Sequence, residues 1–214
     1  MPILPCAVLL LGQRTPVLMP RIGIRAFKAE RELEIWGATT DRGPYRLLIS
    51  YPIAAISGSL GPKRQEGDMQ APEGFYRIDR FNPKSQFHLS LGLNYPNSSD
   101  RKLGVRDHLG RDIFIHGNHV SAGCLAMTDP VIDVIWRLAT NARDRGQKAI
   151  PVSIFPCRMT PQNCAALRTQ YSQQPDLVRF WSTLTPAYTS FEQNHLWPRP
   201  HVAQNGAYTW PEQP

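Results

Sequence analysis

The stretch Asp112-Ile-Phe-Ile-His116-Gly117-Asn-His119-Val-Ser121-Ala122-Gly123-Cys124-Leu-Ala-Met-Thr-Asp129 decides how the chain is read. It opens on period-two alternation, so Ile113 and Ile115 point to one side of a strand and Phe114 and His116 to the other. His116 therefore leaves the strand end on the face opposite the isoleucines. Gly123-Cys124 then arrives shortly before Asp129-Pro130, an N-cap followed by a first helical residue. Val131, Ile132, Ile135, Leu138, Ala139 and Ala142 follow at three- and four-residue steps, and Gly146 closes the helix. The positive end of that helix is expected near Cys124, where it favours a thiolate.

Outward from this segment the pattern is β-rich. Strands are expected at Ile22–Lys28, Glu32–Ala38, Tyr45–Ile53, Phe75–Arg80, Phe87–Leu93, Ile113–His116 and Ala149–Phe155, with a turn at Asp41-Arg42-Gly43-Pro44. Residues 57–72 carry three Gly and no period and read as a long loop of the functional kind. Residues 95–111 read as a second irregular stretch, in which Tyr95, Arg101 and Lys102 are the candidate substrate contacts. Beyond Cys157 the composition turns to Pro, Gln and aromatics, with short helices expected at 162–171, 176–184 and 186–194 and a turn at Asn205-Gly206. The expected fold is mainly β of the α+β class. Its divisions are an N-terminal segment 1–20, a remnant signal or a first strand, a catalytic domain 21–160, and a helical, aromatic-rich extension 161–214 packed on the core.

The 214 residues carry 24 Lys and Arg against 17 Asp and Glu, a net charge of +7 that favours an anionic partner. A hydrophobic fraction of 42% excludes a disordered chain, and no heptad or triplet period persists. The longest apolar run, Ile3 to Leu11, is about half of a bilayer span and contains Pro5, so no transmembrane segment is expected. Nucleic acid is not the expected partner either, for lack of a recognition helix, an RNP-like motif or a phosphate loop. Cys6, Cys124, Cys157 and Cys164 are too few for a disulfide scaffold, and spacing alone leaves a Cys157–Cys164 pair open. His108, His116, His119 and Cys124 offer zinc-ligand types without a ligand pattern, so neither metal nor cofactor is expected.

Cysteine catalysis needs a thiol, a base within reach, a group that orients the base, and donors for an oxyanion. Here Cys124 supplies the nucleophile and His116 the base. The Gly117 carbonyl can hold the imidazole in place of a triad carboxylate, Gly117 letting the backbone bend sharply after the strand. The N–H groups of Cys124 and Gly123 can form the oxyanion hole, and the Ser121 hydroxyl can brace the loop.

The same segment resembles the active-site signature of the YkuD-type L,D-transpeptidase family, in which His-Gly leads to Ser-X-Gly-Cys and a hydrophobic residue. Ala71-Pro72-Glu73-Gly74-Phe75-Tyr76-Arg77-Ile78 is similar to the family's strand entry. Tyr51-Pro52-Ile53, Ser57-Gly58, Leu60-Gly61-Pro62-Lys63 and Glu66-Gly67-Asp68 resemble its YafK-like, or DpaA-like, branch. With Leu93-Asn94-Tyr95-Pro96-Asn97 and Phe155-Pro156-Cys157-Arg158-Met159-Thr160 the resemblance spans residues 21 to 160. It implies an L,D-transpeptidase-type β-sandwich or barrel core with one helix after the nucleophile, a cysteine acyl-enzyme, peptidoglycan stem peptides as substrate, and a periplasmic or cell-envelope location. Ala122 and Ala126 stand where many members carry His and Arg or Asn, and the His-to-Cys interval is short; these departures match the YafK-like branch. Within it three readings stay open: a transpeptidase, a hydrolase that releases outer-membrane lipoprotein from peptidoglycan, and an inactive wall-binding relative. On any of them Lys63, Arg64, Arg101, Lys102 and Arg106 are the cations expected to draw in substrate carboxylates.

Overall fold

A computed structural model describes residues 19–210. Most of the segment 1–20, with the choice between a signal remnant and a first strand, lies outside the described residues, as does Cys6. Strands β1 (Arg21–Phe27), β2 (Glu32–Ala38) and β3 (Arg46–Pro52) form an antiparallel meander around the expected turn. They are followed by β4 (Gly74–Ser85), β5 (His88–Leu93), the helix α1 (Ser98–Leu103), β6 (Phe114–His116) and β7 (Leu125–Ala126). Then come α2 (Asp129–Asp144), β8 (Ile150–Phe155), α3 (Pro161–Gln170), α4 (Pro175–Asn194) and a small hairpin of β9 (His201–Val202) and β10 (Tyr208–Thr209).

Eight strands make one sheet in the order β3-β2-β1-β8-β4-β5-β6-β7. Its two ends meet: the Ala54 N–H donates to the Ala126 carbonyl at 2.8 Å and the Ala126 N–H to the Ala55 carbonyl at 3.0 Å. The sheet is thus curled on itself, a solution that removes exposed strand edges. The apolar face of α2, Ile132, Ile135, Leu138, Ala139 and Ala142, packs on one side against Ile22 and Ile24 of β1, Leu91 and Leu93 of β5, and Ile115 of β6.

The other side carries Phe27, Phe75 and Phe155, covered by Leu167 of α3 and by Phe180, Trp181, Leu184 and Tyr188 of α4. With helices on both faces β1 is buried almost throughout. Arg25 on this strand is buried among the rings of Phe27, Trp36, Phe155, Tyr188 and Phe191, 2.7 Å from Glu192. The aromatic C-terminal stretch therefore closes the second core.

Three local expectations are corrected. Residues 95–111 are not irregular throughout, because Asn97 caps α1 in a reciprocal box with Asp100. The two helices expected at 176–184 and 186–194 are one, α4, which runs through Pro186; the continuous buried face from Phe180 to Phe191 outweighs the missing hydrogen bond. The N-cap of α2 is Thr128 and not Asp129, which occupies the first helical position. Strands β7, β9 and β10, of two residues each, are too short to carry a readable alternation.

Candidate active site

The feature that assembles the site is the pairing of β6 with β7. The chain leaves β6 at His116, loops through residues 117–124 and returns parallel to its own departure, with Ile115 opposite Leu125 and His116 opposite Ala126. That register sets Cys124 one step before the start of β7, beside Phe114. The Phe114 backbone hydrogen-bonds the thiol, and the Cys124 sulfur lies 3.7 Å from the Asp112 carbonyl oxygen. Phe114 and His116 share a strand face, so the sulfur and the imidazole stand along one short strand.

His116 is 2% exposed and its Nδ1 lies 2.6 Å from the Gly117 carbonyl oxygen. A carbonyl only accepts, so Nδ1 carries the proton and Nε2 keeps its lone pair. Burial pushes the imidazole pKa below its usual value, with the Gly117 bond acting the other way. The ring is neutral at pH 7. Phe87 lies against it, ring centroids 4.7 Å apart.

Gly117 sits in the bend that follows the strand, and packing also demands its lack of a side chain. A Cβ there would stand 2.5 Å from Asp129 Oδ1 and 2.8 Å from the Phe87 carbonyl oxygen. Asp129, displaced from the cap, accepts the Asn118 N–H at 2.7 Å and fixes the loop to the start of α2.

Cys124 also departs from expectation. Two strand residues and a further turn separate it from α2, so the helix end is not at the sulfur. Burial pushes the thiol pKa up; the Phe114 hydrogen bond and the Lys63 charge pull it down, while Asp112 adds to the rise, and the net direction is upward. The resting group is a protonated thiol. The turn around it is braced: the Ser121 hydroxyl donates to the Cys124 carbonyl at 2.7 Å and accepts the Cys124 N–H at 3.1 Å. Gly123, at φ +98°, gives its N–H to the Ser57 hydroxyl at 2.6 Å. Both expected oxyanion donors thus rest on serine hydroxyls.

Ser57 brings in the long loop 57–72. The loop folds around Asp68: burial pushes this carboxyl up, but the Lys63 ammonium at 2.7 Å and the backbone N–H groups of Arg64, Gln65 and Gln70 hold it below the ordinary range. Its two ends are tied down by a buried pair. Glu73, fully buried, accepts from Lys28 at 3.0 Å, the Gly61 N–H at 2.7 Å and the Trp181 indole at 2.6 Å, while Lys28 also donates to the Gly61 and Ala71 carbonyls. Helix α4 therefore reaches the active-site loop through Trp181. The sequence reading gives no site role to Ser57, Phe87, Asp112 or Glu73, although Ser57-Gly58 and Glu73 stand in stretches that resemble the family.

The cations expected to meet substrate are spread differently. Lys63 is buried and committed to Asp68, and Arg64 stacks on Phe180 with Asp100 at 3.8 Å. Lys102 donates to the Ala203 carbonyl at 2.8 Å, and the Tyr95 hydroxyl donates to the Leu109 carbonyl at 3.0 Å. Arg101 is exposed and lines a pocket of 430 Å³ with Arg77 and Tyr95, and Arg106 is exposed beside Asp107. Among the described residues none of them hydrogen-bonds Cys124 or His116, and Lys63 acts on the Cys124 thiol through its charge. Cys157 and Cys164 are free thiols, and burial pushes Cys157 up to about 12. Among the described residues no group of three or more His, Cys, Asp or Glu is placed to hold a metal ion, and no helix is long and apolar enough to cross a membrane.

Comparison with known proteins agrees with this architecture. The profile of the YkuD L,D-transpeptidase catalytic domain matches residues 26–154. The L,D-transpeptidase-family protein YafK of Escherichia coli K12 is 41% identical over 187 residues, which is 86% of this chain and 72% of YafK. Among solved structures, the helical cell shape determining protein Pgp2 of Campylobacter jejuni shares the fold at a TM-score of 0.51 and 17% identity, covering 86% of this chain and 73% of that one. Its K307A mutant aligns at a TM-score of 0.50 and 20% identity, over 78% of this chain and 59% of the other. Domain profile, YafK identity and curled-sheet architecture point one way: the chain belongs to the L,D-transpeptidase catalytic domain family.

Proposed function

We propose that the protein is a cysteine-dependent acyl-transfer enzyme acting on the diaminopimelate-containing stem peptides of peptidoglycan. The observation that carries this reading is the His116 Nδ1 contact with the Gly117 carbonyl, which leaves a neutral imidazole with Nε2 free as base on the strand that also holds the Cys124 sulfur.

Because the thiol pKa is raised and that of the imidazole lowered, the resting pair is neutral and not a thiolate–imidazolium ion pair. Attack is therefore general-base assisted. The Cys124 proton passes to His116 Nε2 as sulfur bonds to the carbonyl carbon of diaminopimelate, and the imidazolium then protonates the leaving amine as the C–N bond breaks. The resulting thioester passes to a diaminopimelate amine or to water, with His116 taking the acceptor's proton. For the N–H groups of Gly123 and Cys124 to hold the oxyanion, the hydroxyls of Ser57 and Ser121 must give them up to the substrate. The transpeptidase and the hydrolase that frees peptidoglycan-linked lipoprotein use the same residues and differ only in the acceptor. The substrate sets the place of action at the cell envelope, in the periplasm.

The test is mass spectrometry of muropeptides and of lipoprotein-bearing sacculi after incubation with the purified protein. New cross-links identify an amine acceptor; shortened stems or freed lipoprotein identify water. Cys124→Ala and His116→Ala are each expected to abolish both products, and an unimpaired Cys124→Ala enzyme would refute the mechanism.

A further inference from the structure

A broad cleft lies away from Cys124. It has a volume of 1370 Å³, and none of its lining residues comes from the loop 57–72 or the segment 112–124. Its floor is the α4-covered face of the sheet where Phe75 and Arg77 of β4 pair with Ser153 and Pro151 of β8. Its walls are the C-terminal half of α4 and residues 196–200. This volume exceeds the range of about 300–1,000 Å³ for small-molecule sites and suits an oligomeric ligand.

Two properties define the ligand's chemistry. The lining is aromatic and fixed in place: the Trp210 indole donates to the Thr183 carbonyl at 3.1 Å and meets the Phe75 ring edge-on at 5.1 Å. Trp197 packs against Tyr45 and over Gly23, where a Cβ would overlap its ring. The cleft is also positively charged. Arg21, Arg42, Arg77, Lys148 and Arg199 line it against the single carboxylate of Asp41. Among the described residues Arg42, Arg77 and Lys148 have no ion-pair partner. Much of the net charge of +7 is therefore gathered here and not at Cys124. The cleft continues through Arg77 and Asn94 into the pocket that holds Arg101.

Flat aromatic faces interleaved with unpaired cations fit a chain of sugar rings with carboxylates at intervals, the rings lying on the indoles and the carboxylates meeting Arg and Lys. Asp41 on the cleft and Asp79 on the adjoining pocket repel a polyanion charged at every unit, which disfavours nucleic acid. We infer that this cleft binds the glycan strand of peptidoglycan, holding the polymer on the face of the sheet remote from Cys124. The inference rests on the proposed substrate class.

The test uses the full chain carrying Cys124→Ala, so that binding is read apart from turnover. The probe is glycan strands stripped of stem peptides by an amidase, which leaves one lactyl carboxylate per disaccharide. The parent is expected to bind these strands, and Arg77→Ala/Lys148→Ala, at two exposed positions, to weaken binding about tenfold or more. Trp210→Ala should weaken it too, with folding checked by circular dichroism. In the chain retaining Cys124, the double variant should turn over a soluble muropeptide at the parental rate. Absence of binding by the parent, parental affinity in both variants, or equal displacement of the strands by a single-stranded oligonucleotide would each overturn the inference. The proposed chemistry fails on a different result, an active Cys124→Ala enzyme in the muropeptide assay.

Discussion

Gly117→Ala isolates the contact on which the base depends. The added Cβ falls 2.5 Å from Asp129 Oδ1 and 2.8 Å from the Phe87 carbonyl oxygen, about 0.9 Å and 0.6 Å inside the 3.4 Å at which ordinary contact begins. Neither neighbour yields freely: Asp129 is held by the Asn118 N–H at 2.7 Å, and the Phe87 oxygen belongs to the backbone. Relief has to come from a shift of residue 117 itself, at an overpacking cost of about 1–3 kcal/mol. For a chain of this size that lowers Tm by a few degrees to about 10 °C. The same shift moves the Gly117 carbonyl relative to His116 Nδ1, a bond of 2.6 Å, by a large fraction of an ångström. Misplacement on that scale costs up to about a hundredfold in rate. Muropeptide turnover and thermal unfolding of the purified variant measure both effects. In Gly117→Ala/Asp129→Ala one of the two clashes is gone, so its loss of stability should fall short of the sum of the single losses. A Gly117→Ala protein with parental Tm and parental turnover would refute the reasoning, because the carbonyl would then be held by something other than this packing.

Other expectations are more direct. With the Cys124 pKa raised above 9.0, iodoacetamide alkylation should climb about tenfold per pH unit from pH 7 to 9 without a plateau; a rate flat from pH 5 would indicate an ion pair instead. The acid limb of kcat/KM should fall below pH 6.5, because burial lowers the His116 pKa and the neutral imidazole is the working form. Burial raises the Asp100 carboxyl to about 6 from 3.8, so the folded state holds this proton more tightly than the unfolded one. Stability from this group is full below pH 3.8 and is lost as pH rises to about 6, on the order of 3 kcal/mol. Urea unfolding of Asp100→Asn at pH 4 and pH 7 should show that difference reduced. Lys28→Met leaves Glu73 buried without its cation and should cost about 3–5 kcal/mol, read as a lower urea midpoint.

The legible parts of the molecule are those with a local period or a local cap. The β1–β2–β3 meander, β5, β8 and the apolar stripe of α2 fall within a few residues of where alternation and three- and four-residue spacing put them, and β4 starts where expected but runs past Arg80 to Ser85. Cys124, His116, Gly117, Gly123 and Ser121 stood out because they sit in one short segment of distinctive residue types. Helix α1 had a signal that went unread, Asn97 followed three residues later by Asp100. Pro186 gave a misleading one, because the buried face that carries α4 through it is formed with distant strands. The contacts from Ser57, Phe87 and Glu73 had no comparable signal, since each depends on residues far apart in the chain.

By itself the sequence determined which residues are the candidates for the chemistry and that the catalytic region is β-rich, because side-chain type and period are properties of a few consecutive residues. Only the tertiary structure decided how that chemistry is poised. The parallel return of β7 beside β6 places the sulfur by Phe114 and away from the α2 terminus. Burial then makes the thiol neutral where the order of residues alone favoured a thiolate, because a pKa depends on what surrounds a group in space. The same holds for the charge: composition fixed its amount, and folding committed Lys63, Arg64 and Lys102 to internal partners while gathering unpaired cations around the cleft on the α4 side.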